Sequence, residues 1–530
     1  MTNSPPSPDD NGDLDAARAW ARRAPSADDP LRAWVRCAID AYRAIETSGD
    51  DAVPDAVALA NDATAEAIAL LLRYRPTDWS PGPLQVGDVH VDVEFRDIAT
   101  SLRTPLRLRR ARDVPMDAFD GKRYSTPGFG VAIAALSSRD AGPPASRLLP
   151  QSGAFGNLTA WIEPDADSRD ASPRLVLADA LKLDAVAIGA HRLQPARDTS
   201  AAYAWAMEVS KLERLGLWGL VGGKAIGRRA GLYLLDEYDP GKCPLVMIHG
   251  LGSNPLIWSH VSNAVWGEAD LRARFQVWQV VHQTDAPLLA ARLHLQDYLD
   301  DAWRQLDPDG TARARSGAVL IGHSLGGVVA RLLCADSGDA LWNAAFLVPQ
   351  EALDADEADL KLIERIFFFR PYAGVARAVF LAAPHRGSPS AATLLGRLTG
   401  DLVGWRTMEV QALRRVAQRN PQAIRPELLP VFEQGWINSI TTLHSEQPVR
   451  RAAEALLPPP GFPYHTIAGV QRGSDPQSDG IVPLASAMLP GAVSSFVVES
   501  GHRVHERPAA VAEVVRILRE HARATTRTDA

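Results

Sequence analysis

A serine set among glycines, Gly322-His323-Ser324-Leu325-Gly326-Gly327, is where this chain most plainly offers chemistry. It follows the apolar run GAVLI and precedes VVARLLCAD, so a strand should enter it and a helix should leave it. A G-x-S-x-G in that setting is a turn tight enough to project the serine hydroxyl clear of a sheet. Gly322 and Gly326 are glycines because a side chain at either place would collide with the neighbouring strand or helix. The helix starting near Leu325 brings the positive end of its dipole beside Ser324, which favours negative charge developing there. The chemistry predicted is nucleophilic attack by Ser324 on an acyl carbon.

Such an attack needs donors for the oxyanion that forms. The residue after the nucleophile, Leu325, supplies one backbone N–H, and a loop after an earlier strand supplies the other. His249-Gly250-Leu251-Gly252 follows PLVMI about seventy residues upstream. Leu251 is the expected second donor, Gly250 lets the backbone approach, and His249 is expected to fix the turn by hydrogen bonding. His323, inside the serine motif, is counted among the supporting residues.

Behind this kind of turn the chain order is nucleophile, acid, histidine. Asp479 lies in Ser478-Asp479-Gly480, just after YHTIAGV, and a glycine directly after the acid suits a tight turn aiming the carboxylate. Asp475 is its rival, four residues away. After the next apolar run, SSFVV, comes Gly501-His502-Arg503-Val504-His505. His502, at the strand's end, is the expected general base, with His505 as the alternative. His385, in PHRGS after ARAVFLAA, is expected to support the floor of the site by hydrogen bonding.

The surrounding elements must hold these residues. From Cys243 onward, short apolar runs alternate with helical stretches: PLVMIHG, FQVWQVVH, GAVLIGH, ARAVFLAA, YHTIAGV and SSFVVES. Continuous apolar strands with helices between them predict a parallel sheet covered on both faces. Residues 390–460 read as a long helical insertion carrying Leu402, Val403, Trp405, Trp436 and Ile437. Upstream, residues 79–240 read as a β-rich module, with Val89, Val91, Val93 and Phe95 alternating with polar residues and further strands at 158–164, 183–193 and 231–238. His90 falls on the solvent side of the first of these, with no neighbouring cluster to make a metal site. Residues 13–78 read as a helical region, apolar at three- and four-residue spacing, and residues 1–12, rich in Pro, Ser and Asp, as a disordered tail.

Bulk properties narrow the function further. A net charge of −7 over 530 residues argues against a nucleic-acid binder. Three scattered cysteines, Cys37, Cys243 and Cys334, make no disulfide framework. The N-terminus shows no basic and apolar leader and no run reaches the ~18 apolar residues of a membrane span. A cytoplasmic protein is therefore expected, with export lacking an N-terminal signal left open.

Taken together, residues from about 230 to 522 resemble bacterial α/β-hydrolase-fold esterase and lipase proteins. The matching pieces are Tyr238-Asp239-Pro240 leading into HGLGSNPLIW, the serine motif, VFLAAPHRGSP (379–389), SDGIVPLASA (478–487) and SGHRVHERP. The resemblance implies an α/β-hydrolase catalytic domain over 241–525 with a helical cap at 390–460. It also implies a serine hydrolase acting on small-molecule or lipid esters, with Ser324, Asp479 and His502 as its triad and no cofactor or metal. Many such proteins are exported or membrane-attached, whereas this chain shows no signal; peripheral membrane contact stays open. A thioesterase, an amidase or peptidase, and an acyltransferase would share the triad. A binding protein with a vestigial hydrolase core is the alternative from another class.

Overall fold

The computed structural model describes residues 12–138, 147–150, 153–165, 172–210, 230–284, 286–387, 407–434 and 447–528. The chain forms two compact units, Met1–Ser210 and Lys211–Ala530.

In the first unit three helices, α1 (Gly12–Arg23), α2 (Pro30–Thr47) and α3 (Val53–Tyr74), precede a sheet and a fourth, α4 (Ala201–Ser210), follows it. Pro30 opens α2, and the Asp29 side chain accepts the Arg32 amide, satisfying one of the donors a helix start leaves unpaired. The strands are β1 (Gly82–Val86), β2 (Val89–Arg96), β3 (Leu106–Arg110), β4 (Val131–Ser137), β5 (Phe155–Glu163) and β6 (Arg174–Asp179), ordered β1-β2-β6-β5-β4-β3. All neighbours are antiparallel except β2 and β6. Leu31, Val35, Ile39, Ile68 and Leu71 of the helices share one core with Val91, Trp161 and Val176 of the sheet. The helical region and the β-rich segment, separate in the sequence reading, are thus two layers around a single core. A helical apolar stripe reveals that it is buried, not against what. The strand expected over 183–193 is a hairpin, Val186–Ile188 against His191–Leu193, turned at Gly189 with φ 53°.

The second unit is built on β7 (Gly231–Leu234), β8 (Cys243–Ile248), β9 (Phe275–Val281), β10 (Ala318–His323), β11 (Val375–Leu381), β12 (Tyr464–Val470) and β13 (Ser494–Glu499), ordered β7-β9-β8-β10-β11-β12-β13. All pairs are parallel except β7, which runs antiparallel along β9. Gly231–Leu234 therefore belongs to this sheet, a correction to its expected place in the β-rich module; local alternation identifies a strand without identifying its partner. Helices cover the sheet: α5 (Ser259–Gly267), α6 (Leu288–Leu306), α7 (Leu325–Leu333), α8 (Glu357–Phe367), α9 (Met408–Arg419), α10 (Leu429–Gln434), α11 (Pro448–Ala455) and α12 (Pro508–Thr528). Every residue of β10 is buried, as a central parallel strand requires. In α12, Ala510, Val514, Ile517, Leu518 and His521 form the buried stripe. Within 390–460 the described parts are helical, in α9, α10 and α11. Leu402, Val403, Trp405, Trp436 and Ile437 lie outside the described residues, as does almost all of the 1–12 tail.

Candidate active site

β10 ends at His323, α7 begins at Leu325, and Ser324 between them has φ 53° and ψ −123°. A non-glycine residue there is held against its own steric preference. What holds it is the packing of three glycines. A Cβ on Gly322 would come 2.5 Å from the Gly326 carbonyl oxygen, one on Gly326 would strike the Ile248 carbonyl, and one on Gly327 would come 2.5 Å from the Ala383 Cβ. The turn can thus close because α7 lies directly on β8, β10 and the end of β11. The Ser324 amide donates to the Leu381 carbonyl of β11 at 2.9 Å, extending the ladder to the turn itself.

Ser324 Oγ lies 2.9 Å from His502 Nε2, and His502 Nδ1 lies 2.8 Å from Asp479 Oδ2. With the Nδ1 proton donated to the carboxylate, Nε2 is the lone-pair side and accepts from the hydroxyl. Asp479 is only 2% exposed, and its other oxygen accepts the Ile481 and Val482 amides at 2.8 and 2.7 Å. Those two amides fix the carboxylate in rotation, so Oδ2 stays aimed at the histidine. Gly480, next to it, has φ 89° and would place a Cβ 2.7 Å from Gln471 Nε2, so the turn requires glycine. Asp475, the rival acid, is exposed on the same loop.

His505 is not at the serine. It is 3% exposed, with its ring 4.5 Å from that of His323 and 6.3 Å from Trp258, and both its nitrogens lack a hydrogen-bond partner. Burial, reinforced by His323, holds it far below the ordinary imidazole range. His323 is buried too. Its Nε2 donates to the main-chain carbonyl of His502 at 2.9 Å, and burial, followed by the His502 ring, holds it down to about 3.

The loop after β8 reaches the same place. A Cβ on Gly250 would come 2.9 Å from the Cβ of Ser324, so Gly250 permits this approach and Leu251 follows directly. His249 donates from Nδ1 to the Gly250 carbonyl at 3.0 Å and accepts the His282 amide on Nε2 at 3.4 Å. His282 in turn donates from Nε2 to the His249 carbonyl at 3.0 Å, with the two rings 4.4 Å apart. Burial keeps both rings below their ordinary range. Thr284 completes the brace by accepting the Gly252 amide on Oγ1 at 3.2 Å. His282 and Thr284 were not picked out from the sequence; the signal was a histidine standing directly after the apolar run FQVWQVV.

His385 differs from expectation. It is 1% exposed, packs edge-on against Phe380 at 5.0 Å, and neither ring nitrogen has a hydrogen-bond partner. The segment is held through its backbone instead: the His385 amide donates to the Ser486 carbonyl at 3.0 Å, and Arg450 Nη2 donates to the Pro384 and His385 carbonyls at 2.9 Å each. Arg450 sits on α11, whose last carbonyls, Ala453 and Glu454, accept from Arg331 of α7 at 2.9 and 3.0 Å. Arg331 thereby satisfies the Glu454 carbonyl, one of those a helix C-terminus leaves unpaired, and adds a second donor to that of Ala453, which also accepts the Leu456 amide at 3.3 Å. Both arginines are buried and neither was singled out from sequence.

Among the described residues, no group of three or more His, Cys, Asp or Glu is arranged to hold a metal, and no helix is long and apolar enough to cross a membrane.

A family model described as the alpha/beta hydrolase family matches residues 245–514. No curated protein matches the chain. Solved structures similar to it include the mature lipase BlEst2 of Bacillus licheniformis, 16% identical over 54% of this chain and 97% of that one, TM-score 0.29. They also include the esterase RhEst1 of Rhodococcus sp. ECU1013, 16% identical over 54% and 93%, TM-score 0.27. A third is Cfl2 of Burkholderia cenocepacia, 14% identical over 54% and 92%, TM-score 0.29.

Proposed function

This chain belongs to the alpha/beta hydrolase family, and from that premise we propose that it is a serine hydrolase cleaving carboxylic esters through an acyl-enzyme. The observation that carries the reading is the unbroken relay from Ser324 Oγ through His502 to Asp479, with links of 2.9 and 2.8 Å. A hydroxyl with a histidine acceptor in hydrogen-bond reach, itself oriented by a buried carboxylate, is an activated nucleophile.

His502 Nε2 takes the Ser324 proton as Oγ bonds to the ester carbonyl carbon. The carbonyl oxygen becomes an oxyanion, held by the Leu251 and Leu325 amides. Asp479 stabilises the imidazolium without taking its proton. Collapse breaks the bond to the alcohol oxygen, which leaves with the proton from His502. Water then attacks the acyl-enzyme, giving its proton to His502, and Ser324 leaves with that proton as the carboxylic acid departs. The substrates are small-molecule or lipid esters.

The test is labelling with a fluorophosphonate, read at Ser324 by peptide mass, together with turnover of p-nitrophenyl esters beside matched thioesters and amides. Labelling at Ser324 with ester turnover ahead of the other two supports the reading. Faster thioester or amide turnover moves the activity to that class, and no labelling and no turnover overturns it.

A further inference from the structure

Two guanidiniums are buried together on the helix side of the loop after β11. Arg331 of α7 and Arg450 of α11 are 0% and 1% exposed. Arg331 stands one helical turn past Gly327, on the face of α7 where a Cβ at Gly327 would come 2.5 Å from the Ala383 Cβ. Two residues on from Ala383, the chain meets Arg450, whose Nη2 donates to the Pro384 and His385 carbonyls. Arg331 grips the end of the helix that bears Arg450, through the Ala453, Glu454 and Leu456 carbonyls. The buried His385 ring belongs to the same place. After burial itself, the charges of Arg331 and Arg450 hold it well below the ordinary imidazole range.

This cluster is short of acceptors and of negative charge. Nε of Arg331 has no hydrogen-bond partner, and neither have Nε and Nη1 of Arg450. Both nitrogens of His385 lack one too, and a neutral imidazole carries one N–H among them. Glu454 Oε1 lies 3.7 Å from Arg450 Nη1 and balances one guanidinium. Among the described residues no carboxylate forms an ion pair with Arg331. Burial, then Arg450, holds Arg331 down to about 9, so it is still a cation at neutral pH. The α11 carbonyls offset part of that charge but reach only its Nη groups. A buried cation without a counter-charge is strongly destabilising, and orphaned buried donors mark the place of a bound water or ion.

We propose that a small monovalent anion of the halide class binds here, held by the unpaired N–H groups of Arg331, Arg450 and His385. A halide brings the single negative charge that is missing. Having no protons of its own, it accepts from donors on several sides at once. Water would meet the donors and leave the charge, and a doubly charged sulfate would exceed it. The ion ties α7, α11 and the loop after β11 at one point, so its binding stabilises the folded second unit. None of Ser324, His502 and Asp479 takes part.

Crystals of the full chain soaked in sodium bromide and measured at the bromine edge test this, beside melts in bromide, chloride and gluconate at one ionic strength. An anomalous peak between Arg331 Nε and Arg450 Nε is expected. Tm should be at least about 2 °C higher in ~200 mM chloride or bromide than in gluconate, which is too large for the site. Arg331→Gln should lose that difference; where the variant does not fold, the parent's map and melts decide. Density without an anomalous signal at that place is a water and overturns the proposal, as does no density at all. A peak without the Tm difference marks an adventitious ion only and overturns it equally. A Tm difference that survives in folded Arg331→Gln does the same, because the halide then acts elsewhere.

Discussion

The ring of His323 donates to the backbone carbonyl of His502 across 2.9 Å. The residue before the nucleophile therefore holds the main chain of the histidine that faces it, while Asp479 holds that histidine's side chain. Replacing His323 by Leu keeps much of the volume but strands the carbonyl. A lost bond of this kind costs ~1–3 kcal/mol, so a lower Tm is expected, with kcat reduced by about tenfold. His323→Gln, which retains a donor, should recover part of both, and equal damage from the two variants would count against an orienting role.

Ser324→Ala removes the attacking oxygen and keeps the turn, since alanine meets no more steric hindrance at φ 53° than serine does. Ester hydrolysis should fall on the order of 10⁶-fold in kcat, with an unchanged melting profile. Activity above about a tenth of the parent's would rule Ser324 out.

His502→Ala should be nearly inactive. His505→Ala should keep most of its activity and pay in stability, because the ring it deletes is 3% exposed against His323 and Trp258. Losses of a few kcal/mol are usual for emptied buried sites. Kinetics and melts of the two proteins side by side separate the roles, and the reverse pattern would reassign the base.

Asp479→Asn should cost on the order of 10⁴ in kcat, because an amide no longer selects the tautomer that leaves Nε2 open to the serine. Asp475→Asn, at an exposed site, should stay within about twofold. Two active variants would mean that the acid comes from another loop.

Acid should destabilise the second unit through its buried imidazoles. Burial holds His323 down to about 3. Burial, then the Arg377 guanidinium, holds His465 and His521 down to about 4. Unfolded, each ring titrates near 6.5. Between those values the unfolded chain binds protons that the folded one refuses, so stability is full above about 6.5 and drains as pH falls toward 4. Each ring contributes up to about 1.4 kcal/mol per pH unit in that window. Melts from pH 7.5 to 4.5 should show Tm falling steadily, and a flat or rising Tm would contradict the buried neutral rings.

How far the site could be read from sequence depended on whether a residue's task was local. Ser324 and its glycines announce themselves because a tight turn needs them within five residues, and Gly480 marks Asp479 for the same reason. His502 and His505, three residues apart in one short segment, could only be ranked; what separates them is that His505 turns into the space beside His323 and Trp258, a long-range fact. His282, Thr284, Arg331 and Arg450 act on carbonyls and amides far away in sequence, and a bond to a backbone group leaves no trace in the type of residue it reaches. The alternation of apolar runs and helices announced the parallel sheet from β8 onward. It could not assign Gly231–Leu234 to that sheet's edge, nor show that α2 and α3 close over the strands that follow them.

The two buried arginines also determine where the insertion ends as a mechanical part. Arg331 ties the nucleophile's helix to the end of α11, and Arg450 ties α11 to the loop after β11, both through carbonyls and not through carboxylates. α11 thus travels with the hydrolase body, although by sequence it falls inside the insertion. Anyone transplanting a cap from a related hydrolase should cut ahead of Gln447 and leave 448–460 with the host; a seam drawn at 460 would carry away the clamp that keeps the serine's helix and the floor of the site in register.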